Sequence, residues 1–176
     1  EIKGNTSYDC SRGLAVVKYS NDIPISGISV IGNSFVSKSA GQYPVYYEPN
    51  ANTMPEDFVA DSNYITRPTD DNLTVWIDRN GTNYYYSLAN WRTFSGQDLA
   101  SKKAPVSVSS AADILYADNP TAYTQRVLLS GNYVDLNNKS YTTYKSINAY
   151  SSTVLLKTAG AGKKAVIIKR LKVIKN

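Results

Sequence analysis

The chain has 176 residues, a formal net charge of +5, one cysteine, no histidine, and fifteen tyrosines against three phenylalanines. Without histidine there is no Ser-His-Asp or Cys-His catalysis and no His-containing zinc site, and Cys10 alone closes no internal disulfide and builds no cysteine metal cluster. Residues 163–175 hold six of the nineteen basic residues, which leaves thirteen basic against fourteen acidic before them, and a body so close to neutral makes a poor platform for nucleic acid.

The tyrosines, with many Asn, Ser and Thr, favour strands joined by polar turns. No apolar run approaches the length that spans a bilayer, so no transmembrane segment is expected. The chain opens at Glu1 with no charged-then-apolar leader, and is expected to be a processed or excised piece. Cys10 reads as a small apolar side chain packed in a core.

The first eighty residues carry a weak repeat. Ile2-Lys3-Gly4-Asn5-Thr6 is echoed by Val30-Ile31-Gly32-Asn33-Ser34-Phe35 and again by Val59-Ala60-Asp61-Ser62-Asn63-Tyr64. Self-similarity at such an interval marks a solenoid, whose units bury their faces only against their neighbours. Prolines at Pro24, Pro44, Pro49, Pro55 and Pro68 interrupt any helix. Short strands over Leu14–Tyr19, Gly27–Ile31, Val45–Tyr47 and Leu73–Ile77 fit instead, with asparagine at the corners, where it tolerates left-handed backbone. Residues 1–83 are therefore expected to be terminal coils of a parallel β-helix. Its open end needs neighbours, so further coils of the parent chain are expected before Glu1.

Residues 84–110 read as a cap and junction. Ser87 caps a short helix with Leu88 and Trp91 on its apolar side, and Gly96 stops it. So short a helix is marginal alone, and Trp91 is expected to press on the last coil through Val75-Trp76-Ile77. From Asp113 the texture changes to hairpins. Ile114–Ala117, Gln125–Leu129, Asn132–Leu136, Tyr141–Ile147 and Thr153–Lys157 read as strands between turns at Ser130-Gly131, Asn137-Asn138 and 149–152. Residues 111–176 are thus expected to form a small antiparallel β-sandwich, with a flexible joint at 159–162 and a basic C-terminal strand or tail.

Ser87-Leu88, Trp91, Gly96-Gln97-Asp98 and Ser101 resemble the junction that ends many secreted bacterial right-handed parallel β-helix proteins of the pectate-lyase-like kind. Tyr116, Asn119-Pro120-Thr121, Leu129, Gly131, Tyr133, Asp135 and Tyr150-Ser151-Ser152 with Val154-Leu155-Leu156 follow the order and spacing of their appended β-domain. Arg92, Asn138 or Lys139, and Ala149 depart from the usual Gln, turn Gly and Pro. The resemblance covers roughly Asn33 to Lys157. It implies a secreted or cell-surface location and a parent that binds or cleaves polysaccharide. The usual catalytic positions lie on central coils, so no catalytic residue is carried over.

The visible acid pairs, Glu56-Asp57 and Asp70-Asp71, point to opposite faces if they lie on strands. They read as solvated loop charges and not as a facing glycosidase dyad. Asp98 reads as a carboxylate tying down backbone N–H groups, with a calcium ligand as the alternative; no motif supports calcium, and no cofactor is expected. Ser101 reads as a local turn bond. The candidate carbohydrate contacts are Tyr43, Tyr46 and Tyr47 on one segment and Tyr84, Tyr85 and Tyr86 on another, with strand alternation turning some rings in and some out. The chain is accordingly expected to be the non-catalytic C-terminal portion of a polysaccharide-active protein. A carbohydrate-binding module or adhesin, and a structural spacer, are the alternatives.

Overall fold

A computed structural model describes residues 1–18, 26–49 and 57–158 of the chain. Expectations that fall on Pro24, Pro55, Glu56, the joint at 159–162 and the basic segment 163–176 lie outside the described residues. The chain is predominantly β with one α-helix among those residues, and it divides into two units, 1–107 and 108–176. Of the stretch expected as a cap and junction, 84–110, the residues through Ser107 belong to unit 1. No helix among the described residues is long and apolar enough to cross a membrane.

In unit 1, three successive stretches of chain each contribute one strand to each of three sheets. The first stretch supplies β1 (Ile2–Lys3), β2 (Thr6–Tyr8) and β3 (Arg12–Val17). The second supplies β4 (Ser29–Ile31), β5 (Ser34–Val36) and β6 (Tyr43–Glu48), and the third β7 (Val59–Asp61), β8 (Tyr64–Thr66) and β9 (Val75–Arg79). The sheets run β1-β4-β7, β2-β5-β8 and β3-β6-β9, parallel throughout. Between them lies a core of Val30, Phe35, Val45, Tyr47, Phe58, Ile65, Val75 and Ile77, each 2% exposed or less. The extra strand β10 (Thr82–Tyr86) turns back antiparallel on β9. Its two-residue turn is Asn80-Gly81, both at positive φ, the geometry that matches the strand twist in a tight hairpin.

The repeating asparagines are the corner of this stack. Asn33 Oδ1 accepts the Asn5 N–H at 2.9 Å, and Asn63 Oδ1 accepts the Asn33 N–H at the same distance. Each side-chain amide reaches back one turn, Asn33 Nδ2 to the Ile2 carbonyl and Asn63 Nδ2 to the Val30 carbonyl. Both side chains are buried, so every one of these polar groups needs its partner. The asparagine repeat in the sequence is thus a register device as well as a turn former.

Cys10 departs from expectation. It is exposed, not packed, with its thiol toward the Tyr8 carbonyl. It lies in the corner between β2 and β3, where the chain leaves the core.

Unit 2 begins with a 3-10 turn at Ala111–Asp113. It continues through β11 (Ile114–Asn119), β12 (Gln125–Leu128), β13 (Tyr133–Asp135), β14 (Ser140–Tyr141), β15 (Tyr144–Ile147) and β16 (Ser151–Lys157). One antiparallel sheet runs β11-β16-β13-β14, and β12 pairs with β15 in a two-stranded ribbon. Leu115 and Ala117 of the sheet pack with Val127, Leu129 and Ile147 from the ribbon side. Two expectations need correction. Tyr141–Ile147 is not one strand, because Tyr141 pairs with Tyr133 in the sheet while Tyr144 pairs with Leu128 in the ribbon. Likewise Ser130-Gly131 does not close a hairpin but carries the chain from ribbon to sheet. Asn138, standing where a turn glycine is usual, takes that glycine's left-handed conformation at φ 64°.

Candidate functional site

Two constellations come from the residues singled out in the sequence, one structural and one facing solvent. The first is the closure of unit 1. The helix α1 (Leu88–Ser95) starts at Ser87, whose hydroxyl accepts the Asn90 N–H, and ends at Gly96 in the left-handed conformation. A residue with a Cβ would be strained there, which is why glycine terminates the helix. The helix carries Trp91 to full burial, stacked on Tyr47 with ring centroids 5.1 Å apart and flanked by Tyr86 and Phe94. Leu88 and Trp91 join the core cluster that also holds Val75 and Ile77. Trp76, expected to share in that surface, points the other way.

Beyond α1 the chain imitates a fourth turn of the stack. Ser101 Oγ accepts the Asn63 N–H at 2.8 Å, as an asparagine Oδ1 does one turn earlier, and Asp98 Oδ1 accepts from Asn63 Nδ2 at 3.1 Å. The Ser101 hydroxyl donates to the same carboxylate oxygen at 2.5 Å, and Trp91 Nε1 donates to the other at 2.9 Å. The main chain follows suit, with Asp98 N–H on the Ala60 carbonyl and Lys102 bridging Tyr64 in parallel. Gln97 Oε1 accepts the Ala60 N–H. Edge groups of β7 and β8 are taken up by residues 97–102, and β9 is covered by β10. Open sheet edges invite further pairing, and here all three are closed. Arg92 donates from Nε to the Asp98 carbonyl and from Nη2 to the Ser101 carbonyl, holding this pseudo-turn to the helix. Both Asp98 oxygens are thereby engaged by three side-chain donors and not by the backbone N–H groups expected of this carboxylate, because the chain sets it against the Asn63 amide, the Ser101 hydroxyl and the Trp91 indole.

The second constellation lies on the outward face of the β3-β6-β9-β10 sheet. Cross-strand partners share a face, and the register places Ala15, Tyr46, Trp76 and Tyr85 in one row across the four strands. Tyr43 leans into it, 5.3 Å from both Trp76 and Tyr85. Tyr46 lies 4.3 Å from Trp76, and the Arg12 guanidinium sits 4.0 Å from the Tyr46 ring and 4.6 Å from Trp76. Among the described residues Arg12 has no carboxylate partner, and the residue is exposed. Trp76 Nε1 donates to Asn83 Oδ1 and the Tyr46 hydroxyl to Glu48 Oε2, both at 2.6 Å. Burial first, and then the Glu48 carboxylate that accepts its proton, raise the Tyr46 phenol above its ordinary value.

The six candidate tyrosines therefore separate. Tyr43 and Tyr85 reach solvent on this face. Tyr46 shares the face but is 3% exposed beneath Arg12 and Trp76, so it supports the row and does not meet a ligand. Tyr47, at 1% exposed, belongs to the core, and Tyr86 stacks on Phe94 at 5.3 Å under the helix. Tyr84 lies beneath Arg79, 3.8 Å from its guanidinium carbon. Alternation along the strand is the reason, since neighbours in sequence cannot share a face.

Trp76 and Arg12 went unrecognised as surface groups. The asparagine spacing of 30 between Asn33 and Asn63 carries Tyr46 onto Trp76 and would have placed both on one face. The acids weighed for glycoside hydrolysis hold turns. Asp71 accepts from Thr66 Oγ1 and the Arg67 N–H, Asp70 pairs with Arg67, and Asp57 accepts the Gly27 N–H; Asp61, outside those pairs, accepts from Ser62 and Ala100. Comparison with family models, with curated proteins and with solved structures finds no match to this chain.

Proposed function

We propose that this chain is the closing, non-catalytic portion of a secreted polysaccharide-active protein. In this reading residues 1–107 are the last coils and cap of a right-handed parallel β-helix, and 108–158 a small antiparallel β-sandwich. Its own contribution to function is to hold carbohydrate on the face of Tyr43, Trp76 and Tyr85. The observation that carries this reading is the outward aromatic row with the Arg12 guanidinium stacked at its side. A pyranose lays its C–H face on such rings while its hydroxyls find polar groups at the rim, here Arg12, Glu48 and Asn83. The parallel ladders, their asparagine corner and their closure by Asp98 and Ser101 support the solenoid reading. The structural use of Asp57, Asp61, Asp70 and Asp71 supports the non-catalytic one.

Binding is tested by affinity electrophoresis in gels containing polygalacturonate, alginate, xylan or β-glucan, with tryptophan fluorescence as a second readout because Trp76 lies in the site. Trp76→Ala is expected to weaken binding about tenfold, equivalent to ~1.4 kcal/mol. Equal retention of Trp76→Ala, Tyr43→Ala and the parent chain would remove the basis for the proposal. Turnover of uronate polymers by this chain alone would overturn its non-catalytic part.

A further inference from the structure

Unit 2 displays its own pair of aromatic rings, and it goes to unusual lengths to do so. Tyr123 and Tyr150 are 74% and 75% exposed, and among the described residues neither ring nor hydroxyl has a partner. Tyr150 stands at φ 51°, left-handed backbone that is a genuine outlier for a bulky side chain and that persists only when the surroundings impose it. The two loops that carry these rings are tied together by Asn119, 1% exposed at the end of β11. Its Nδ2 donates to the carbonyls of Tyr123, Ile147 and Asn148 at 2.7, 3.0 and 2.8 Å, and its Oδ1 accepts from Thr121 N–H and Oγ1. The Tyr150 N–H then closes on the Thr121 carbonyl at 3.2 Å. One buried amide thus clamps the loop after β11 to the loop before β16, and each loop lifts one tyrosine into water.

We propose that Tyr123 and Tyr150 form a second carbohydrate site, on unit 2, for a neutral pyranose polymer. Strain in a loop tied down by a buried hub, with nothing but exposed rings to show for it, is the signature of a contact made outside the chain. The two loops supply the chemistry of the ligand. Residues 119–124 and 148–152 contain no charged side chain, only Asn, Thr, Ser, Ala, Pro and the two tyrosines. Phosphate and carboxylate find no counter-charge there, whereas sugar hydroxyls find amides and hydroxyls, and sugar C–H faces find rings. The site stands on unit 2 alone and does not rest on the Trp76 face.

The test uses the whole chain in gels containing xylan, mannan, β-glucan or polygalacturonate, with melting temperatures measured alongside. At least one neutral polymer is expected to retard the parent. Tyr123→Ala is expected to weaken that retardation about tenfold. Tyr150→Gly is expected to weaken it as much while raising the melting temperature of unit 2 by about 4 °C, because glycine relieves the left-handed strain. In a Trp76→Ala background, the retardation that remains is expected to fall about tenfold further with Tyr123→Ala. Retardation by none of the neutral polymers, or retardation unaltered by both tyrosine variants, overturns the proposal. So does a fall in melting temperature for Tyr150→Gly, which would make the ring a structural one. Loss of all binding on Trp76→Ala alone would leave the first site standing and this one refuted.

Discussion

Asp98 is the residue whose replacement tests the account of unit 1 most sharply. Its carboxylate is fully buried and accepts from Asn63 Nδ2, Ser101 Oγ and Trp91 Nε1. In Asp98→Ala the Ser101 hydroxyl is able to rotate, and Asn63 keeps the Val30 carbonyl, but the Trp91 indole N–H loses its acceptor inside the core. A buried donor left without a partner costs about 1–3 kcal/mol, and each hydrogen bond to a charged group contributes about 1.5–3 kcal/mol, not additively. Asp98 also sits at φ 57°, where alanine costs about 1–2 kcal/mol more than an aspartate or asparagine that bonds locally. The expected loss is about 3–5 kcal/mol for Asp98→Ala. Asp98→Asn keeps the backbone preference and one acceptor but turns an NH2 toward donors, for an expected loss of about 1.5–3 kcal/mol. Both tryptophans, Trp76 and Trp91, lie in unit 1, so urea unfolding followed by tryptophan fluorescence reads this unit without interference from unit 2. Stability of Asp98→Asn within about 0.5 kcal/mol of the parent, the range of an ordinary surface change, would refute the shared-acceptor account. The double variant Asp98→Asn/Ser101→Ala should lose less than the sum of the single losses, because the Ser101 hydroxyl donates to the Asp98 carboxylate and the two share one network around Asn63.

Alkaline pH gives a second handle on the core. Burial first, and then the charge of Asp98, raise the Tyr47 phenol well above its ordinary value of 10.0, and Tyr46 is raised as well. A raised folded value means that this stabilisation is complete below pH 10 and drains away as pH climbs toward the folded values. Spectrophotometric titration should therefore show exposed tyrosines ionising on the intact fold and these two only with its unfolding, and Tyr46→Phe/Tyr47→Phe should flatten the loss above pH 10. A third expectation concerns Gly13, where a Cβ would meet the Pro44 carbonyl oxygen on the next strand at 2.5 Å. Gly13→Ala should wedge β3 from β6 and cost about 1–3 kcal/mol, and an unchanged thermal midpoint by tryptophan fluorescence would show that the two strands have room to spare.

The sequence by itself went a long way toward the stack and its lid. The asparagines and the Ser87 to Gly96 helix are each defined by local chemistry: a turn former and two caps. Local chemistry is written in consecutive residues, so it is legible there. What the sequence did not decide was which face each aromatic occupies. Tyr46 and Tyr47 are neighbours with the same side chain, and one supports the outward row while the other stacks on Trp91. Trp76 looked like part of the lid's seat and stands instead at the centre of the solvent face.

The same limit applies to the rest of the candidate site. Arg12 lies 31 residues before Tyr43 and reaches the row only because parallel pairing sets the two side by side. Tyr150 gave no sign of its left-handed backbone, in a loop that Asn119 ties down from the end of another strand. Alternation along a strand fixes that neighbours diverge, but only pairing in register fixes which of them meets water. Local propensity and caps are therefore properties of this sequence alone. The two aromatic surfaces belong to the tertiary structure, because cross-strand register joins residues that the chain keeps far apart.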